Sequence, residues 1–173
     1  MKTSFWDNRA LAGVVLAAAI LAGVFGIGGA KLKSAAAAPV TYYEENMAAD
    51  FAARESAAQT ILGIASNSDV DIKAATQALT ASLTAKTPGE KYRAGIDLAT
   101  QVGIVYNSLP ADERDQKGAP AQMAWSEFTS RTSILGHAIP AYNELAAQAE
   151  KRTKGFPAAL VAKVNNVYTE AMV

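Results

Sequence analysis

AQMAWSEFTSRTSILGHAIPAYNELAAQAEKRT, residues 121–153, places Trp125, Phe128, Thr132, Leu135, Ile139, Tyr142, Ala146 and Ala149 at alternating steps of three and four. That spacing puts one apolar stripe along a helix. At 1.5 Å per residue the run extends roughly 50 Å. Pro140 falls inside it, and the amphipathic spacing resumes in register at Tyr142. A proline there forfeits one backbone bond, so the spacing predicts a bend and not an end. Lys151, Arg152 and Lys154 crowd the last turn, before Gly155 and Pro157 stop it.

Upstream the same period recurs. ADERDQKGAP, residues 111–120, reads as a surface loop. Thr87-Pro-Gly-Glu90 has the capping-box pattern with proline at the first helical position, and opens a helix that Pro110 closes. Its stripe is Tyr92, Ile96, Ala99, Gly103 and Tyr106, widened by Leu98, Val102 and Val105. Asp69 and Asp71 open a helix striped by Ile72, Ala75, Leu79 and Leu83. Thr41-Tyr-Tyr-Glu44 fits a capping box for a helix through Met47, Phe51, Ala58, Ile61 and Ala65, ending near residues 66–68. Residues 158–172 close the chain with helical patterning. No run alternates like a strand, and 38 alanines among 173 residues favour closely packed helices. The expected fold is all-α, an elongated antiparallel bundle with coiled-coil-like packing.

At the other end, ALAGVVLAAAILAGVFGIGGA, residues 10–30, holds 21 residues without a charge, flanked by Arg9 and by Lys31 and Lys33. A helix of that length covers roughly 31 Å, near the thickness of a bilayer core. A cleaved signal peptide is the rival reading, since Gly28 and Ala30 are small, but its apolar region usually spans only about 7–15 residues. The sequence therefore predicts a tail at residues 1–9, a single transmembrane signal anchor at 10–33, a linker at 34–40 and a bundle over 41–173. Ala18, Ala22, Gly26 and Ala30 form a ladder suited to close approach of membrane helices. The expected partners are the lipid bilayer and a second copy or another membrane protein, with the bundle on the extracytoplasmic side of the cell membrane.

Chemistry is sparse. Residues 40–173 carry 12 Lys and Arg against 15 Asp and Glu, a net charge of −3, and show no basic stripe for nucleic acid. There is no cysteine, and His137 is the one histidine. HExxH is impossible, and a di-iron Glu-x-x-His pair fails because position 134 is Ile. Gly26-Ile-Gly28-Gly29 lacks the preceding strand of a dinucleotide loop. His137 with Glu144 or Glu127 could exchange a proton, Glu44-Glu45 with Asp50 could hold a cation, and Lys151-Arg152 with Lys154 could touch anionic lipid. Each has an ordinary explanation in helix electrostatics or a solvated face, so no catalytic, cofactor or metal residue is assigned. Trp125, Phe128 and Tyr142 read as core.

Tyr142-Asn143, then Gly155-Phe156-Pro157 with Leu160, Ala162 and Val164, resembles the closing motif of the LemA family. Tyr106-Asn-Ser-Leu-Pro110 is similar to an aromatic-and-proline element of that family. Over residues 42–66 the family's arginine-pair and Pro-Asn signature is absent, and a second Tyr-Asn pair reads Ala149-Glu150, so the likeness is to a divergent member. It implies a bacterial, membrane-anchored helical bundle with no established catalysis, one branch being similar to proteins of membrane-organelle assembly. Two functional classes follow: a membrane-anchored scaffold or interaction protein, or a membrane-tethered sensing module whose bundle binds a small ligand or peptide.

Overall fold

The computed structural model describes residues 28–154, 158–160 and 170–173. Six helices follow in order: α1 Gly28–Asn46, α2 Ala48–Ala65, α3 Lys73–Thr84, α4 Pro88–Ser108, α5 Ala111–Asp115 and α6 Pro120–Thr153. The all-α expectation agrees with this, and no strand occurs among the described residues.

The transmembrane helix expected in front of the bundle is corrected. Among the described residues no helix is long and apolar enough to cross a membrane. The helix that begins at Gly28 carries Lys31 and Lys33 early and Glu44 and Glu45 late, and it packs along α6. Those charges are incompatible with a hydrocarbon environment. Residues 10–27, including Ala18, Ala22 and Gly26, lie outside the described residues. Ala30 is an exposed position of α1. Ser34–Pro39, expected as a spacer, is also helical, with Pro39 buried inside α1. Thr41 consequently sits mid-helix and caps nothing.

α1 and α2 are almost one helix. At Met47 the backbone departs to φ −133°, yet Met47 N–H donates to the Tyr43 carbonyl and Phe51 N–H to that of Met47. The capping box at Thr87 forms as expected: Thr87 Oγ1 accepts from Glu90 N–H and Glu90 Oε2 from Thr87 N–H. α6 runs unbroken through Pro140.

α2 and α6 are antiparallel. Phe51 clusters with Leu135, Tyr142 and Ala146 at one end. Ile61, Leu62 and Ala65 cluster with Ala121 and Phe128 at the other, together with Ala75 and Leu79 of α3 and Leu98, Val102 and Val105 of α4. α4 and α6 both pack on α2, and the ring stack of Tyr106 on Trp125 at 4.6 Å links the two. The α3 stripe departs from expectation at its last position: Ala75 and Leu79 are buried, but Ser82 is buried in place of Leu83, which stands 48 % exposed. Part of the expected 111–120 loop is the short helix α5.

Candidate functional site

α2 turns two adjacent charged residues inward, and the bundle treats them differently. Glu55 is satisfied. Lys91 of α4 approaches its carboxylate at 2.9 Å, and Ser82 of α3 donates a short hydrogen bond to the same group. Burying a charged group is costly unless it is paired and hydrogen-bonded in this way.

Arg54 is not satisfied. It is only 5 % exposed, and among the described residues its Nε and Nη2 have no hydrogen-bond partner. Its guanidinium lies over Phe51 at 5.1 Å and over Phe128 at 5.9 Å, within reach of cation–π attraction. Phe51 belongs to one core cluster and Phe128 to the other, which places the cation on the seam between them. Burial pushes the guanidinium below the usual arginine value, partly countered by the charge of Glu55. Arginine remains charged regardless.

A cavity of about 350 Å³ opens over this group between α4 and α6. Arg54 and Phe51 line it from α2, Tyr92, Gly95, Ile96, Ala99 and Thr100 from α4, and Thr132, Leu135, Gly136 and Ile139 from α6. Gly95 makes room for the guanidinium, because a Cβ there would collide with Arg54 Nη2 unless that side chain shifted. Both threonine hydroxyls donate to carbonyls of their own helices, Thr100 to Ile96 and Thr132 to Phe128. Nearby on α6, Arg131 bridges Asp50 at 2.7 Å and Glu127 at 2.6 Å.

The residues singled out from sequence fall elsewhere. Tyr142 is buried, and its hydroxyl donates to the Glu170 carbonyl. Asn143 exchanges two hydrogen bonds with the backbone of Met172, accepting at 2.7 Å and donating at 3.0 Å. Together they hold the closing segment, whose Met172 plugs the Met47–Phe51 end of the core. Phe156 and Pro157 lie outside the described residues. His137 is exposed, and Glu127 is engaged by Arg131 instead. Among the described residues no cluster of His, Cys, Asp and Glu could hold a metal. Arg54 escaped sequence reasoning because nothing in a helical pattern distinguishes an inward arginine whose partner is missing. Gly95 beside Ile96 carried the only hint, a small residue on an apolar face.

No family model, curated protein or solved structure matches the chain.

Proposed function

We propose that the chain is a non-catalytic binding bundle, which captures a partner in the α4–α6 groove and turns over no substrate. One observation carries this reading: the buried cation Arg54, whose Nε and Nη2 find no partner among the described residues, is the one charged side chain lining an apolar cavity. Leaving such a charge unanswered is costly, and buried polar groups are nearly always paired. A counter-ion supplied from outside the chain resolves it. The LemA resemblance of Tyr142 and Asn143 supports the same direction, since that family has no established catalytic activity. Large apolar side chains at the surface, Ile96 at 52 % exposure and Ile104 at 57 % on α4 and Met123 at 56 % on α6, support an interaction role of the scaffold type as a second reading.

The test is a photo-crosslinking residue in place of Ile96, at the lip of the groove, with a second at exposed Thr80 on α3 as control. The expected result is an adduct at position 96 that disappears when Arg54→Met is added. An adduct independent of Arg54, or equal yields at both positions, would overturn groove capture.

A further inference from the structure

We infer that the end of the bundle where residues 170–173 dock is a peptide-recognition site. It takes, from a partner protein, an extended segment with an acidic residue two positions before a methionine, and the chain's own tail occupies it as a tethered competitor. The site lies beside the α4–α6 groove and does not draw on Arg54.

The docked segment is held by its backbone and by two of its side chains. Asn143 on α6 accepts from Met172 N–H at 2.7 Å and donates to the Met172 carbonyl at 3.0 Å. One side-chain amide meeting both backbone groups of a residue fits an extended residue, whose N–H and C=O point the same way, as in a strand pair. Tyr142 donates to the Glu170 carbonyl, two residues earlier. These bonds hold any sequence. Selection comes from the side chains. Glu170 reaches the start of α4, where Arg93 Nη1 lies 2.6 Å from one carboxylate oxygen and Thr87 Oγ1 donates to the other at 3.1 Å. A Cβ on Gly89 would fall 2.7 Å from Glu170 Cδ, so the glycine leaves room for the acid. The positive end of the helix dipole favours the same charge. Met172 fills a pocket formed by Met47, Phe51, Leu135, Tyr142 and Ala146.

The burial is that of a ligand more than of a core element. Met172 is the one buried residue of the four, while Glu170 is exposed and Val173 stands 83 % exposed. Main-chain bonds for affinity and pockets for alternate side chains are the common means of holding an extended peptide, and one buried anchor carries most of the energy. Tethering supplies the tail at an effective concentration on the order of mM, so a free segment of the same pattern has to compete with it.

The experiment uses the full chain carrying Met172→Asp, which removes the anchor of the tail, and a fluorescein-labelled peptide VYTEAMV, the sequence of residues 167–173. By anisotropy the peptide is expected to bind this variant one to one, at least tenfold more tightly than it binds the wild type. The same peptide carrying Glu170→Lys or Met172→Asp should bind at least tenfold more weakly. Adding Arg93→Glu to the chain should reverse the preference, so that the Glu170→Lys peptide binds the more tightly. A tail contact that is only structural would not produce that exchange. Glu170→Lys in the full chain is a second variant, at an exposed position that leaves the Met172 pocket filled. Excess VYTEAMV should displace its tail and raise its thermal midpoint. No binding to a Met172→Asp chain that still melts cooperatively, or binding indifferent to both peptide changes, overturns the inference. If Met172→Asp does not fold, an unshifted Glu170→Lys midpoint overturns it. Concentration-dependent dimerisation of the wild type that Met172→Asp abolishes assigns the site to tails exchanged between copies, and overturns a separate partner.

Discussion

Gly95 and Gly63 both sit inside helices, yet they answer to different neighbours. A Cβ built on Gly63 meets nothing within 4 Å, whereas one on Gly95 runs into Arg54 Nη2. Glycine costs a helix interior about 1 kcal/mol relative to alanine through backbone entropy. Gly63→Ala should therefore raise stability by about 0.5–1 kcal/mol. At Gly95 the same gain is opposed, because a Cβ would force the guanidinium off the position it holds near Phe51 and Phe128. Gly95→Ala should lower stability by about 1 kcal/mol net. Urea midpoints of the two variants, measured side by side, check the difference in sign. The residue scale also shows why the site was not legible in the sequence. Arg54 follows Phe51 by three positions, as a partly solvated helix residue often does. Its burial arises from Gly95 and Phe128, which lie 41 and 74 positions away.

Between elements, Glu55 ties three helices together, accepting from Ser82 of α3 and Lys91 of α4 while sitting on α2. Removing a partner of a buried charge costs more than the pair is worth, because the other charge is stranded. Lys91→Met should destabilise by about 3 kcal/mol, the low end for such a loss, since the Lys91 side chain is itself 17 % exposed. Ser82→Ala should cost about 1–3 kcal/mol. Pairing Lys91→Met with Glu55→Gln should recover part of the loss, and thermal denaturation of the single and double variants reads this directly. The same contact explains what periodicity could and could not deliver. α4 and α6 were legible because capping, proline placement and apolar spacing agree on them, from Thr87 with Glu90 to the stripe through Phe128 and Tyr142. The last position of the α3 stripe was read as Leu83 and is Ser82, because a serine reads as polar until its buried partner is known. The start of α1 was misread for a similar reason. Alanines 35–38 before Pro39 suggested a spacer, but alanine is the best helix former, and burying the Pro39 ring compensates for its lost hydrogen bond.

Across the whole molecule, the closing segment joins the Met47–Phe51 end of the core, with Glu170 reaching Thr87 and Arg93 at the start of α4, and Tyr142 couples that docking to pH. Its hydroxyl donates to Glu170 O, its ring packs with Met47 and Met172, and burial, with the charge of Glu170 adding to it, pushes the phenol up to about 12. A folded-state value above the ordinary 10.0 means that the native state holds this proton more tightly than the unfolded chain does. The contribution to stability is therefore complete below the ordinary phenol value and is lost as pH rises from there through about 12. Tyr43 and Tyr106 are raised as well, chiefly by burial, and act in the same direction. Glu170 adds the opposite limb: Arg93 holds its carboxyl below the ordinary range, so its small contribution is present above that range and fades on acidification. The wild-type urea midpoint should thus be level from neutral pH to about 9 and fall steeply above 10. Tyr142→Phe should begin about 1 kcal/mol lower at neutral pH, having lost the bond to Glu170 O. It should then decline less steeply above pH 10, leaving Tyr43 and Tyr106 to supply the remaining slope. Parallel curves for the two proteins would show that Tyr142 does not titrate in this window and that the closing segment is not held through its hydroxyl.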